Sequence, residues 1–176
     1  MDLSIIIIGK ICSGKSTLAK DFSNWLKMPI ASFGKYLAEH SRTNGLKVER
    51  EALQDLGESF IKDDYSQFLD SVIDFTGKQN KKMIFEGVRH RVIFDKIKSI
   101  SNNTLSIYLD CKEDVRYERF LKREKEIDSS ANAEVDFYRF SSHSVEKDVE
   151  NLKDECDFII TSNKSYQYFL KMLSLY

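Results

Sequence analysis

Residues 9–16 read Gly-Lys-Ile-Cys-Ser-Gly-Lys-Ser, and they constrain the fold of this chain more than any other segment. Two glycines lie five residues apart, and a lysine and a hydroxyl residue follow the second. An apolar run at 3–8 precedes this segment and an amphipathic stretch at 16–27 follows it, which predicts a buried strand, a tight loop and a helix. Loops in this position can wrap a phosphate group with backbone amides.

The residue types in the loop match that chemistry. Gly9 and Gly14 allow the sharp turns that direct successive N–H groups at one phosphate. Lys15 is predicted to act catalytically on the β- and γ-phosphates, and the Ser16 hydroxyl to bind Mg²⁺. The helix beginning near Lys15 contributes its positive N-terminal end. The predicted nucleotide-binding residues are Gly9, Cys12, Ser13, Gly14, Lys15, Ser16 and Thr17.

Short apolar runs alternate with longer amphipathic stretches along the remaining sequence, which is typical of strands and helices arranged around a parallel sheet. Strands are predicted at 3–8, 29–32, 82–85, 105–109 and 158–160. The predicted fold class is α/β, a three-layer α/β/α sandwich with a five-stranded parallel sheet and the P-loop NTPase fold. Ligands bind such sheets at the carboxyl ends of the strands.

The predicted helices have apolar stripes that should face the core. The stripe of the first helix consists of Leu18, Phe22, Trp25 and Leu26. A turn at Gly34 is predicted to precede the second helix, and residues 49–75 are predicted to form two helices, the later one capped by Asp63 or Asp64. Further helices are predicted at 92–100, 113–126, 136–152 and 166–173, with a polar loop at 127–133.

Composition narrows the possible classes of protein. The chain has 176 residues, of which 41% are apolar, so one domain spanning 1–176 is predicted. Basic and acidic residues number 27 and 28, so no basic excess indicates nucleic-acid binding. The apolar run at 5–8 is far shorter than the roughly 20 residues that span a bilayer. Three scattered cysteines, Cys12, Cys111 and Cys156, fit neither a disulfide framework nor a zinc cluster, so a cytoplasmic protein is expected.

The phosphate-binding motif occurs in kinases, switches and motors. A chain of 176 residues has no room for the additional elements of a motor or a ring ATPase. Guanine-nucleotide switches have Asp-x-x-Gly at the third strand and Asn-Lys-x-Asp near the end of the domain. This chain has Glu86-Gly87 at the former position and Asn-Lys-Ser-Tyr at 163–166, so a small kinase is favoured.

With these residues the chain resembles the small P-loop kinases of the nucleoside and deoxynucleoside monophosphate kinase type, and dephospho-coenzyme-A kinases are similar too. The segment 32–37, Ser-Phe-Gly-Lys-Tyr-Leu, is similar to the Ser/Thr-x-Gly-Asp-x-Leu segment that opens their acceptor region. Ala38 and Glu39 replace an arginine of the adenylate-kinase pattern, and Lys35 replaces the aspartate. The resemblance implies an acceptor-binding region at about 33–76 and a small lid at about 124–142.

The resemblance also implies roles for further charged residues. Arg119 and Arg123 have the spacing of catalytic lid arginines, which stabilise the transferring phosphoryl group. Arg116, on the same helix, is expected on a solvated face. Glu86 ends a strand and is predicted to hold Mg²⁺, and Arg89 is predicted to bind the acceptor phosphate. Lys35 is the second predicted acceptor-binding residue.

The favoured function is an ATP- and Mg²⁺-dependent kinase that converts a nucleoside monophosphate to the diphosphate. A hydroxyl acceptor, such as dephospho-coenzyme A, would need a general base, for which only Glu86, Asp55 or Asp110 are candidates. A nucleotide-binding regulator without transfer activity is the other alternative. His143 is expected to cap or pack just beyond the lid, near Arg139. The sequence leaves the acceptor, ATP against GTP, and the oligomeric state open.

Overall fold

The fold is described by a computed structural model for residues 1–77, 80–127 and 133–161. Its strands are β1 (Leu3–Ile8), β2 (Ile30–Ser32), β3 (Lys82–Glu86), β4 (Asn103–Asp110) and β5 (Phe158–Thr161). All neighbouring strands are parallel, in the order β2-β3-β1-β4-β5. The predicted α/β fold class with a five-stranded parallel sheet is confirmed.

The helices are α1 (Lys15–Leu26), α2 (Phe33–Thr43), α3 (Arg50–Gly77), α4 (Arg91–Ser99), α5 (Glu113–Ile127), α6 (Ala133–Ser141) and α7 (Ser144–Asn151). A single turn of 3₁₀ helix at Lys153–Glu155 precedes β5. The loop predicted at 127–133 lies outside the described residues except at its two ends, where Ile127 ends α5 and Ala133 begins α6, and the predicted last helix at 166–173 lies outside them entirely. None of the helices within the described ranges is long and apolar enough to cross a membrane.

Strand β1 explains why the sheet is covered on both faces. Successive strand residues point to opposite faces, and Ile5 to Ile8 are all buried. Ile6 and Ile8 pack in a core cluster with side chains from α2, α3 and α4, whereas Ile5 and Ile7 pack with Leu18 of α1. An apolar strand without polar alternation therefore belongs in the centre of the three layers.

Three details of the predicted helices are wrong. No turn occurs at Gly34, because Ser32 is the N-cap of α2 and its hydroxyl accepts a hydrogen bond from the Lys35 N–H at 3.4 Å. Trp25 of α1 is 44% exposed and does not join the core. The single helix predicted at 136–152 is interrupted at 142–143, where α6 ends and α7 begins.

The predicted division of residues 49–75 is confirmed. Helix α3 contains a break at Asp64, whose backbone is extended (φ −159°, ψ 94°). The Asp64 carboxylate accepts hydrogen bonds from the Ser66 and Gln67 N–H groups, both at 2.9 Å. Asp64 thus caps a second helical segment, as Asp residues do at N-caps.

Candidate functional site

The loop between β1 and α1 lies at the carboxyl end of the central strand. Gly9 has a positive φ of 153°, and a Cβ there would lie 2.7 Å from the Leu109 carbonyl oxygen. Gly14 is the N-cap of α1 with φ 101°, and it offers no side chain to cap the helix. The first N–H groups of α1 are therefore left for another acceptor, as in anion sites at helix N-termini.

Lys15 is buried at the start of α1, and its ammonium donates a hydrogen bond to the Lys10 carbonyl at 2.7 Å. Burial, followed by the positive charge of Arg89, lowers the pKa of Lys15 from 10.5 to about 8. A phosphate beside this ammonium would raise that pKa again, because an opposite charge favours the protonated form.

Glu86 joins the loop to the neighbouring strand. Its carboxylate accepts hydrogen bonds from the Ser16 hydroxyl at 3.0 Å and from the Ser32 hydroxyl at 2.8 Å. Because β2, β3 and β1 are adjacent, their carboxyl ends bring these three oxygen-bearing side chains together. The two predicted metal-binding residues, Ser16 and Glu86, are therefore in direct contact.

Glu146 is a buried carboxylate that sequence reasoning missed. It is 2% exposed, accepts a hydrogen bond from the Ile11 N–H at 3.0 Å, and forms an ion pair with Arg89. Burial alone would raise the pKa of Glu146, but Arg89, Lys15 and the Ile11 N–H together hold it below its ordinary value. Glu146 thus fixes both the loop and the predicted acceptor-binding arginine. The sequence signal for Glu146 is its position three residues before Val149. Residues at this spacing share a helix face, so Glu146 lies on the same face as an apolar residue.

Helix α5 packs against the loop with two arginines. The Arg119 guanidinium donates to the Ser13 carbonyl at 3.0 Å. Arg116 is 3% exposed, donates to the Ile11 carbonyl at 3.4 Å and lies over the Phe137 ring at 5.6 Å. The expected solvated position of Arg116 is wrong, because α5 and α6 enclose this face of the helix.

A cavity of about 610 Å³ opens beside the loop. It is lined by most of the predicted site residues: Cys12, Gly14, Lys15, Ser16, Thr17, Lys35, Glu86, Arg89, Arg119 and Arg123. Gly9 and Ser13 do not line it. Thus the structure brings the loop, the predicted acceptor contacts and the predicted lid arginines to one space. The candidate bases Asp55 and Asp110 are not among the lining residues, and Asp110 pairs with Lys153 at 2.9 Å.

Two other lining residues, Arg50 and Gln54, were missed by sequence reasoning. Burial, followed by the charges of Arg89 and Arg123, lowers the pKa of Arg50 from 12.5 to about 10. The positive charges of Arg89 and Arg123 thus act on Arg50. The spacing of Arg50, Gln54 and Gly57, at i, i+4 and i+7, could have indicated one helix face directed at a ligand.

His143 and Arg139 pair with α3 outside the cavity. His143 lies between Asp55, at 3.4 Å, and Glu58, at 3.8 Å. Arg139 pairs with Glu51 at 3.4 Å. The predicted packing role of His143 agrees with these contacts, which join the start of α7 to α3.

The sequence profile of the AAA domain family matches residues 5–139 of this chain. The chain belongs to the AAA domain family. A search of curated proteins found no match to its sequence. The matched part of this AAA domain contains the predicted phosphate-binding loop, Glu86, Arg89 and the two predicted lid arginines.

Solved structures share the fold of this AAA domain. Shikimate kinase from Aquifex aeolicus is 17% identical, with a TM-score of 0.57 over 98% of this chain and 94% of that chain. A gluconokinase from Sinorhizobium meliloti is 15% identical, with a TM-score of 0.57 over 96% of this chain and 87% of that one. A putative kinase from Chloroflexus aurantiacus is 17% identical, with a TM-score of 0.58 over 98% and 96%. The fold is therefore that of the small P-loop kinases.

Proposed function

We propose that this protein is an ATP- and Mg²⁺-dependent phosphotransferase whose acceptor is a phosphorylated small molecule, in the first place a nucleoside or deoxynucleoside monophosphate. The observation that carries the proposal is the charge of the cavity. Its described lining includes one carboxylate, that of Glu86, and the cations Lys15, Lys35, Arg50, Arg89, Arg119 and Arg123. Of these cations Lys15 is buried and Arg50, Arg89 and Arg123 are partly buried, and such an excess of positive charge around one cavity favours an anionic ligand.

The loop end of the cavity is proposed to bind the triphosphate. The N–H groups at the start of α1 and the Lys15 ammonium would hold the β- and γ-phosphates. Lys15 would exchange its hydrogen bond to the Lys10 carbonyl for one to a phosphate oxygen. Arg119, which already contacts the Ser13 carbonyl, and Arg123, which lines the cavity, would stabilise charge on the transferring phosphoryl group.

The residues present fit Mg²⁺. Mg²⁺ in kinases is held by one or two protein oxygens together with phosphate oxygens and water, and Ser16 and Glu86 supply such oxygens in contact with each other. Ser16 would bind the ion directly, and Glu86 would hold its water ligands. Bound there, Mg²⁺ would neutralise charge on the β- and γ-phosphates.

The acceptor end is proposed to bind a phosphate through Arg89 and Arg50. A phosphate acceptor supplies its own anionic nucleophile, so the protein needs only to align it and to neutralise charge. A hydroxyl acceptor requires a base. Among the described lining residues only Glu86 could serve, and its carboxylate already accepts from Ser16 and Ser32. The arginines and the shortage of bases therefore both favour a phosphate acceptor.

The alternative is a kinase for a hydroxyl acceptor. It is supported by the names of two structures with the same fold, shikimate kinase and gluconokinase. In that case Glu86 would have to release at least one serine hydroxyl to accept the proton of the acceptor.

An ADP-release assay tests the proposal and separates the alternatives. The panel contains nucleoside and deoxynucleoside monophosphates, dephospho-coenzyme A, shikimate and gluconate, with ATP and Mg²⁺. We expect turnover with at least one monophosphate, and its loss in Lys15→Met. Turnover with shikimate, gluconate or dephospho-coenzyme A alone would establish the hydroxyl alternative. No turnover with any acceptor, although ATP binds, would indicate a regulator.

A further inference from the structure

Helix α3 directs one face of three residues at the acceptor end of the cavity. Arg50, Gln54 and Gly57 follow one another at i, i+4 and i+7, and all three line the cavity. Residues at this spacing lie in a row along one side of a helix. Arg50, the first residue of the row, is a cation that suits a phosphate. The other two residues would then face the remainder of the acceptor molecule.

The Gln54 side chain has no hydrogen-bond partner among the residues that the structure describes. The residue is 8% exposed, and both its amide nitrogen and its amide oxygen are buried without a hydrogen bond. Buried amides nearly always have partners, and an unpaired one is unfavourable, so a group of this kind calls for an explanation. A rotation of the side chain toward the cavity that it lines would give the amide a ligand to pair with.

Gly57 follows Gln54 by three residues in α3 and also lines the cavity. A glycine inside a helix is destabilising relative to alanine, so its presence needs a structural reason. Gly57 is buried, and an added Cβ would lie only 3.3 Å from Cδ1 of Leu37. The missing side chain lets Leu37 of α2 pack closely against α3 at this point.

One part of the cavity wall is apolar. Phe33 and Phe68 both line the cavity, with ring centroids 5.4 Å apart and planes at 74°, and Leu37 and Leu53 complete the wall. Apolar walls with one amide suit a flat ring that has apolar faces and one polar edge. A polyhydroxylated sugar placed against this apolar part of the wall would leave hydroxyls unpaired.

We propose that Gln54 reads the base of a nucleoside monophosphate, with its amide hydrogen-bonding the polar edge of the base while Arg50 contacts the phosphate. An amide carries both a donor and an acceptor, which matches the edge of a nucleobase. This inference rests on the proposed function, and it adds the residue that would select the base.

The test measures binding rather than turnover. Titration calorimetry compares AMP, GMP, CMP, UMP and dTMP with ribose 5-phosphate, which has the phosphate and the sugar but no base. The variants are Gln54→Leu and the matched control Gln67→Leu, since Gln67 is exposed on the second segment of the same helix. Thermal unfolding of both variants checks that they fold.

We expect at least one nucleotide to bind the wild type more tightly than ribose 5-phosphate. In Gln54→Leu its affinity should fall by about 10- to 100-fold, the effect of losing a buried hydrogen bond, with ribose 5-phosphate and Gln67→Leu unchanged. In wild-type protein labelled with ¹⁵N, the Gln54 side-chain amide resonance should shift with that nucleotide and not with ribose 5-phosphate.

Other results overturn the inference. One such result is that no nucleotide binds better than ribose 5-phosphate. Another is that Gln54→Leu keeps the preference for the nucleotide. A third is that the Gln54 side-chain resonance shifts equally with the nucleotide and with ribose 5-phosphate. Failure of the proposed function looks different: the base preference and its loss in Gln54→Leu would be present, but no ADP would form in the wild type.

Discussion

Arg50 offers the sharpest link between the stability of the protein and its proposed function. Its guanidinium is held within a cavity beside two other arginines, at the positive N-terminus of α3. A pKa lowered from 12.5 to about 10 corresponds to about 3 kcal/mol against the charged form, at 1.36 kcal/mol per unit. The contact with the Phe140 ring, at 5.8 Å, offsets about 1 kcal/mol of this.

Replacing Arg50 with methionine should therefore stabilise the fold while impairing acceptor binding. Because arginine keeps its proton at all working pH values, the full net cost, about 2 kcal/mol, is relieved between pH 5 and 9. At about 2–4 °C per kcal/mol for a domain of this size, the melting temperature should rise by about 4–8 °C. The KM for the phosphorylated acceptor should rise at least tenfold, because a charge-assisted phosphate contact is lost.

Thermal unfolding and steady-state kinetics of Arg50→Met check both expectations. Arg42→Met is the matched control, since the Arg42 side chain is 63% exposed and, among the described residues, forms its ion pair with Glu39 at 3.4 Å. Its melting temperature and KM should change little. A lower melting temperature in Arg50→Met together with an unchanged acceptor KM would refute the reasoning.

Three further predictions concern the loop. The pKa of Lys15 is about 8, and a bound phosphate raises it, so Mg²⁺–ATP binding at pH 8 should take up about half a proton and weaken as the pH rises further. Calorimetry in buffers of different ionisation enthalpy measures this uptake, and its absence would contradict the prediction. Glu146→Ala leaves the Ile11 N–H and Arg89 unpaired and should destabilise the fold by about 3–5 kcal/mol in urea unfolding. The pKa of Glu146 is lowered on folding, so its contribution is present above its ordinary pKa and lost as acid protonates it; a variant with wild-type stability at pH 7 would be inconsistent with this. Arg119→Ala should reduce turnover by on the order of 10³ with little change in ATP affinity, and equal losses of both would argue against a role in transfer.

The sheet and the loop could be predicted because their signals are local. Four consecutive isoleucines at 5–8 leave no polar face, and the loop motif fixes its own strand and helix. The cap at Asp64 could be predicted because its partners, the Ser66 and Gln67 N–H groups, are only two and three residues away. The single helix predicted at 136–152 was wrong because the break at 142–143 carries neither glycine nor proline.

The charged network could not be predicted, because its pairs are distant in sequence. Glu146 reaches Ile11 across 135 residues and Arg89 across 57. The sequence places Arg116 on a charged helix face that is expected to be solvated. In the structure this face is covered by α6, which begins seventeen positions after Arg116. The adenylate-kinase pattern has its arginine a few residues after the glycine that corresponds to Gly34. In this chain Arg50, in the next helix, supplies a cation to the cavity.

Phosphorus NMR of the reaction mixture tests most directly whether this cavity transfers a phosphoryl group to a phosphate. With ATP, Mg²⁺ and the preferred nucleoside monophosphate, the single monophosphate resonance should be replaced by the coupled pair of a diphosphate as ADP forms, and Lys15→Met should show neither change. A new phosphate ester on an acceptor hydroxyl, or an unaltered monophosphate while ATP is consumed to inorganic phosphate, would contradict the account.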